Sequence, residues 1–109
     1  MVWKVYFFQT ERKDCPVKEF IKKQDEATYS KILRFILLLR NNGPYLKPPY
    51  IKKLQDKLYE LRIAGKTAIR IFFTLHPDGY YLLHAFKKKS EKTPSKELKT
   101  ALDRMKEIV

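Results

Sequence analysis

Cysteine, histidine and glycine are scarce in this chain, and each scarcity excludes a class of function. Cys15 is the only cysteine among 109 residues, so no internal disulfide can form and a reducing cytosol is the expected compartment. His76 and His84 are the only histidines, so neither a metal nor a cofactor is expected. The three glycines form no phosphate-binding loop of the Walker or GxGxxG type. The apolar run at residues 35–39 is far too short to span a bilayer.

Acidic residues are also few, which points to an anionic partner. The chain has 12 Asp and Glu against 24 Lys and Arg, a formal net charge of +12. The excess is spread over residues 1–41, 42–86 and 87–109, each of which nets +4, so it belongs to a folded body. Apolar residues make up 44% of the chain, enough for the core of a single domain spanning residues 1–109. Nucleic acid or another acidic partner is expected, and a membrane is not, since no lipidation signal or strongly amphipathic terminal helix is present.

The order of periodic segments predicts an α+β fold with the order β-α-α-β-β-β-α. Residues 2–10 are typical of a strand, Pro16 of the start of a short helix, and residues 26–41 of a longer helix that ends before Gly43. Residues 43–57 contain three prolines and are expected to cross the fold without regular structure. Strands are expected near residues 59–63, 68–75 and 80–86. A last helix should follow, with Thr93 as its cap and Pro94 just inside.

Side-chain alternation divides the last three strands between two faces. With residues 77–79 as a three-residue loop, His76 pairs with Tyr80 and Thr74 with Leu82. An odd-length turn before residue 70 places Arg62 beside Arg70. One face is then apolar and lies under the helices; it comprises Tyr59, Leu61, Ile63, Ile69, Ile71, Phe73, Leu75, Tyr81, Leu83 and Ala85. The other is expected to be a mixed basic and aromatic surface; it comprises Glu60, Arg62, Arg70, Phe72, Thr74, His84 and Phe86. The alternative is an ordinary half-solvated face with surface ion pairs of little energy, and an even-length turn would remove Arg62 from it.

The second half of the chain carries a series of short motifs in a fixed order. They are Glu-Leu-Arg at residues 60–62, Arg70, Leu-Leu-His-Ala-Phe-Lys-Lys-Lys at residues 82–89, and Lys-Thr-Pro at residues 92–94. The first half adds Cys-Pro-Val-Lys-Glu-Phe-Ile at residues 15–21 and Lys-Lys-Leu at residues 52–54. In this order the chain resembles the RelE/HigB/ParE superfamily of bacterial toxins, in its phage-derived, HigB-like branch.

The resemblance implies a fold, a reaction and a set of partners. The fold is a compact RelE-like one, an antiparallel sheet with two N-terminal helices on one face and a C-terminal helix. The function is that of a type II toxin, a metal-independent endoribonuclease that cuts mRNA in the ribosomal A site in the cytoplasm. The partner is a cognate antitoxin, commonly of the helix-turn-helix type. The implied catalytic residues are Arg62, Arg70, His84, Lys88 and Lys89. The tyrosine that such enzymes often add on the C-terminal segment is absent, since no tyrosine follows Tyr81.

These residue types suit RNA cleavage by the substrate's own 2′-OH. Arg70, supported by Arg62, is expected to stabilise the phosphorane, because the guanidinium fork meets phosphate oxygens in pairs. A histidine titrates nearest to neutral pH, so His84 is a candidate base, although a histidine packed in the sheet and bonded to a neighbour is an equal alternative. Lys88 or Lys89 can act as base or proton donor, and the sequence does not decide between them.

The remaining lysines are expected to bind RNA without taking part in the reaction; they are Lys52, Lys53, Lys87 and Lys92. Strand alternation turns Lys87 away from Lys88. Two other classes remain open: a ParE-like poison of DNA gyrase, which would not need the arginines and lysines, and a nucleic-acid-binding module without activity. Expression without a partner is expected to arrest growth and translation. Arg70→Ala is expected to relieve the arrest and to leave the protein folded, because an exposed sheet arginine adds little stability.

Overall fold

A five-stranded sheet organises the fold, and its strands come from both ends of the chain. In the computed structural model, which describes residues 2–108, the elements in chain order are β1 (Val5–Phe7), α1 (Pro16–Lys22), α2 (Glu26–Asn42), a 3₁₀ turn (Gly43–Tyr45), β2 (Ile51–Gln55), β3 (Leu58–Ile63), β4 (Ile69–His76), β5 (Gly79–Lys87) and α3 (Ser95–Lys106). The strand order is β1-β5-β4-β3-β2. The predicted α+β class is therefore confirmed.

Local signals in the sequence set the ends of the first two helices. α1 begins at Pro16, where the missing N–H would have had no partner in any case. α2 begins after Asp25, whose Oδ1 accepts a hydrogen bond from the backbone N–H of Thr28 at 2.7 Å. It ends at Gly43, whose φ of 52° lies in the left-handed region, and a Cβ there would clash with the ring of Trp3.

Helices cover both faces of the sheet. α1 and α2 pack on one face and contribute the buried residues Val17, Ile21, Ile32 and Leu39 to its core. α3 packs on the other face through Ala101 and a partly buried stripe of Leu98, Leu102, Met105 and Ile108, as its periodicity predicts. The sheet is thus the middle of three layers. Within residues 2–108 no helix is long and apolar enough to cross a membrane.

The sheet differs from the predicted one at both edges. Residues 51–55 form β2, although the prolines before them were taken to exclude regular structure; the strand starts just after Pro49 and pairs antiparallel with β3. β1 runs parallel to β5 at the opposite edge, so the sheet is mixed and not purely antiparallel. β1 depends on pairing with β5, a segment far along the chain, which local sequence signals do not reveal. β2 pairs with the next strand, β3, across the two-residue turn at residues 56–57, and three prolines precede it.

The register of the β4–β5 hairpin also differs from the prediction, because the pairing shifts by one residue beyond Phe72. The predicted pair of Phe72 with His84 is present, but the next pair is Phe73 with Leu82. Leu83 is therefore the extra residue of a β-bulge. The bulge shifts every pair beyond Phe72: Thr74 pairs with Tyr81 and His76 with Gly79, so the turn has two residues instead of three. As a result Tyr80 and Leu82 face α1 and α2. Tyr81 and Leu83, which were predicted on that face, lie on the α3 side of the sheet.

The aromatic residues predicted on the exposed face belong to the core. Phe72 and Phe86 are buried beneath α3, with their rings 5.2 Å apart in an edge-to-face arrangement. The expected mixed basic and aromatic surface is therefore wrong in its aromatic half, because α3 covers that part of the sheet. The cap predicted for α3 is also wrong: Pro94 occupies the cap position, and the helix has no side-chain cap.

Candidate active site

A buried carboxylate lies at the base of the candidate site. Glu60, in the middle of β3, is only 1% exposed and faces the α3 side of the sheet with its register partner Phe72. Its Oε1 lies 3.4 Å from Nε of Arg62 and 3.8 Å from Nε of Arg70. Its Oε2 has no hydrogen-bond partner in the described part of the chain. A carboxylate this deep needs nearby positive charge, so Glu60 and the two arginines form one unit.

The two arginines stand side by side on neighbouring strands. Arg62 of β3 and Arg70 of β4 share a face of the sheet, as the odd-length turn between the strands predicts, and the structure pairs them in register. The side chain of Arg70 is only 12% exposed, and its Nη1 donates to the carbonyl oxygen of Ile69 at 3.0 Å. Nε of Arg70 has no acceptor among residues 2–108. Burial lowers the pKa of Arg70, the carboxylate of Glu60 opposes this effect, and the charge of Arg62 adds to it.

The burial of Arg70 corrects an expectation about its replacement. An exposed sheet arginine was expected, and its removal was expected to leave stability almost unchanged. Because Arg70 is mostly buried and balances Glu60, Arg70→Ala leaves a buried carboxylate with less compensation and should destabilise the fold. Arg70→Lys keeps the positive charge and removes the planar guanidinium that donates two hydrogen bonds at once. It is therefore the better variant for functional work.

Lysines from the end of β5 complete an open groove in front of the arginines. The groove has a volume of about 470 Å³ and is lined by Arg62, Ala68, Arg70, Lys88, Lys89, Ser90 and Glu91. The backbone N–H of Lys88 donates to the carbonyl oxygen of Ala68 at 2.8 Å, which ties the segment after β5 to the turn before β4. Four cationic side chains and one exposed carboxylate therefore share the walls of the groove. Such a groove attracts an anion of the size of a phosphate.

The other predicted RNA-binding lysines lie outside the groove. Lys52 is the register partner of Glu60 and shares its face, whereas Lys53 pairs with Tyr59 on the opposite face. Lys87 also lies on the opposite face, near the start of α2. Hydrogen bonds from Thr28 are the main cause of the lowered pKa of Asp25 there, and the charge of Lys87 lowers it slightly further. This position agrees with the alternation that separates Lys87 from Lys88. Lys92 is exposed in the bend between β5 and α3.

His84 is held beneath α3 and does not line the groove. Its Nδ1 lies 3.2 Å from Nη1 of Arg104, and its Nε2 lies 2.8 Å from Oε1 of Glu97. Because a guanidinium can only donate, Nδ1 accepts and Nε2 carries the hydrogen that is donated to Glu97. Nη1 of Arg104 also donates to the carbonyl oxygen of Leu83 at 2.8 Å. The structure therefore separates His84 from the arginine pair and engages both its ring nitrogens in attaching α3 to the sheet.

Two features of the site were not predicted from the sequence. The sequence placed Glu60 on an exposed face, with surface ion pairs as the alternative, and it is buried because β3 is a central strand whose second face α3 also covers. Glu91 was not considered, although the bend that contains it forms a wall of the groove. No cluster of three or more metal-binding side chains occurs among residues 2–108.

The fold and the groove define a class: a small α+β domain with paired arginines on two central strands and lysines after the end of the third. The chain belongs to the family described as phage derived protein Gp49-like (DUF891), whose model matches residues 19–106. That family is of the RelE/HigB toxin type, and the match includes every residue of the groove. No curated protein matches the chain.

Proposed function

We propose that this protein is the toxin of a type II toxin–antitoxin pair, in the HigB-like branch, and that it cuts mRNA on the ribosome. The observation that carries the proposal is the pair Arg62 and Arg70, joined by buried Glu60, at the base of a groove lined by Lys88 and Lys89. The family supports a toxin and an antitoxin partner. We propose a helix-turn-helix antitoxin, and a cytoplasmic setting in which the ribosomal A site presents the message.

The groove suits a reaction in which RNA supplies its own nucleophile. The 2′-OH attacks the adjacent phosphorus, a P–O bond forms, and the bond to the 5′ oxygen of the next nucleotide breaks, leaving a 2′,3′-cyclic phosphate and a 5′-OH. The phosphorane between these states carries extra negative charge. Arg62 and Arg70 line the groove from adjacent strands, and each can donate hydrogen bonds to the phosphorane oxygens.

Glu60 holds the arginines in this arrangement. Two guanidiniums on neighbouring strands repel each other, and the carboxylate beneath them offsets the repulsion. Nε of Arg70 is buried without an acceptor among the described residues, so this atom lies toward Glu60 and is not available to substrate. We assign Glu60 a positioning role, since a carboxylate only 1% exposed does not reach RNA.

Lys88 is our choice for the proton donor to the 5′ leaving oxygen. It lines the groove, is less exposed than Lys89, and its backbone is fixed by the bond to Ala68. An ammonium group donates without first taking up a proton. Lys89 and the lysines outside the groove then serve phosphate affinity.

The proton acceptor is the incomplete part of the site. The groove contains the carboxylate of Glu91 and two lysines, none of which is held by a side-chain hydrogen bond in the described part of the chain. His84 is engaged beneath α3 and does not face the phosphate. Groups this mobile give little rate enhancement until substrate and acceptor are oriented together. We therefore expect the ribosome to supply that orientation, and naked RNA to be cut poorly.

Inducible expression with mapping of mRNA 5′ ends tests the proposal. The parent chain should arrest growth and create new 5′ ends within translated messages. Arg70→Lys should remove both effects at equal protein level, and Arg12→Lys, at an exposed arginine that does not line the groove, should remove neither. DNA breaks without new RNA ends would favour a gyrase poison, and RNA binding without new ends would favour a non-catalytic module.

A further inference from the structure

One side of α2 carries a line of exposed apolar residues. Tyr29, Leu33 and Leu37 are 37%, 37% and 45% exposed, although all three are large and hydrophobic. They are four residues apart, so they lie along one side of the helix over about 12 Å. The same helix buries Ile32 and Leu39 against the sheet. We call Tyr29, Leu33 and Leu37 the α2 stripe.

The α2 stripe is not explained by the packing of the domain. A helix on the surface of a domain normally turns its apolar side to the core and its polar side to water. α2 has apolar residues on both sides, and only the side with Ile32 and Leu39 meets the sheet. Single exposed apolar residues are common, but several in one line mark a surface that another molecule covers.

The charge around the α2 stripe indicates what kind of molecule covers it. Residues 27–55 contain six Lys and Arg and no Asp or Glu. Arg34 and Arg40, both exposed, lie three residues to either side of Leu37 and therefore flank it on the helix surface. Two copies of this chain meeting at the stripe would bring these arginines together, which is unfavourable. An occupant with apolar and acidic residues fits both features.

The stripe also lies on a helix that covers the opposite face of the sheet from the arginines of the groove. α2 packs on one face of the sheet, and Glu60 and Arg70 belong to the other. A molecule that covers the stripe alone therefore leaves the groove open. Arg70 and the stripe can accordingly be varied independently.

We propose that the α2 stripe is the docking surface for an acidic amphipathic helix of a partner protein. Side chains at a four-residue spacing form a ridge along a helix, and this ridge packs between the side-chain ridges of a second helix. Leu33 and Leu37 are the apolar anchors, and Arg34 and Arg40 meet acidic residues at the rim. The inference rests on α2 and does not require that the arginine groove cut RNA.

A pair of synthetic helical peptides tests this proposal by titration calorimetry with the full chain. The first peptide, of about five turns, carries a leucine stripe flanked by glutamates, and the second replaces every glutamate with lysine. The parent chain should bind the first and not the second. Leu37→Glu and Leu33→Glu should each weaken binding about tenfold or more, since buried anchors dominate such interfaces.

Three controls locate the binding site. Leu75→Glu introduces the same change at a leucine with similar exposure, 47%, at the end of β4 and should leave binding unchanged. Arg70→Lys should also leave it unchanged, and so should Lys89→Glu, whose reversed charge in the groove excludes capture of the acidic peptide there. Circular dichroism should show that each variant is folded, as expected for exposed positions.

Four outcomes would overturn the proposal. They are equal binding of the two peptides, no binding of either, equal losses from Leu37→Glu and Leu75→Glu, and loss of binding in Arg70→Lys. Sedimentation of the free chain adds a further test. A parent dimer that Leu37→Glu converts to monomer would assign the stripe to a second copy of this chain.

Discussion

The buried carboxylate of Glu60 provides the most specific test of how the groove is built. Glu60→Gln keeps the shape of the side chain and removes its charge. In the parent that charge lies within 4 Å of the Nε atoms of Arg62 and Arg70. Without it, two guanidiniums on adjacent strands repel each other, and mostly buried Arg70 loses its counter-charge.

The structure sets the expected size of the effect. Removing one partner of a fully buried ion pair costs about 3–5 kcal/mol. Here the two distances, 3.4 and 3.8 Å, exceed that of a strong hydrogen bond, and Arg62 is 36% exposed, so water screens its contribution. We therefore expect Glu60→Gln to lower the free energy of unfolding by about 1–3 kcal/mol. Each kcal/mol corresponds to roughly 4–8 °C in Tm for a domain of this size.

Two measurements on the Glu60→Gln protein separate the effect of Glu60 on the position of the arginines from its effect on the stability of the fold. Urea unfolding gives the change in stability, and single-turnover cleavage of mRNA on stalled ribosomes gives the change in the chemical step. Cleavage by folded Glu60→Gln should fall about tenfold or more, equivalent to about 1.4 kcal/mol of transition-state stabilisation. In a double-mutant cycle with Arg70→Met, the two changes should couple by about 1 kcal/mol or more.

The control for this experiment is the exposed carboxylate at the groove rim. Glu91→Gln removes the same charge from a solvated position and should change stability by less than about 0.5 kcal/mol. The reasoning fails if Glu60→Gln is as stable as the parent, or if its effect simply adds to that of Arg70→Met. In either case Glu60 would not be the link between the arginines.

Three further predictions follow from particular contacts. Lys88→Ala should slow cleavage of message that is already bound. Lys87→Ala, on the opposite face, should alter only the salt dependence of binding. Equal losses in the cleavage rate of bound message would contradict the assignment of Lys88, and not Lys87, to the reaction. Hydrogen bonds from Thr28 lower the pKa of Asp25, so this cap stabilises the fold above pH about 4 and the contribution is lost as pH falls through the lowered pKa. Asp25→Ala should therefore lower Tm at neutral pH, with the difference from the parent narrowing in acid. The Tyr81 hydroxyl donates to Asp78, which raises the pKa of Tyr81 to about 12, and Asp78→Asn should return its phenolate absorbance titration toward about 10.

The sequence predicted those parts of the fold that depend on local signals. The helices at Pro16 and Glu26 and the apolar stripe of α3 follow from periodicity, proline and glycine, and all are present. β2 was missed because an edge strand with two lysines gains its stability from pairing with β3, which residues 51–55 do not reveal. The bulge at Leu83 was missed for a similar reason, since the packing of both faces of β5 selects it.

The same distinction applies to the candidate site. Strand parity was sufficient to place Arg62 beside Arg70, and the order of motifs placed Lys88 and Lys89 at the strand end. The burial of Glu60 and the separation of His84 from the groove were not predictable, because both depend on where α3 docks. That docking is a contact between segments more than ten residues apart, which includes the pair of His84 and Glu97.

Single-turnover cleavage by purified protein tests the central claim most directly. End-labelled message is supplied either free or in ribosomal complexes with an empty A site, and the parent is compared with folded Arg70→Lys. We predict rapid cleavage at the A site by the parent, a loss of about a hundredfold or more in Arg70→Lys, and poor cleavage of free message. Equal cleavage by parent and variant, or site-specific cleavage of free message at the same rate, would contradict the proposed groove and its dependence on the ribosome.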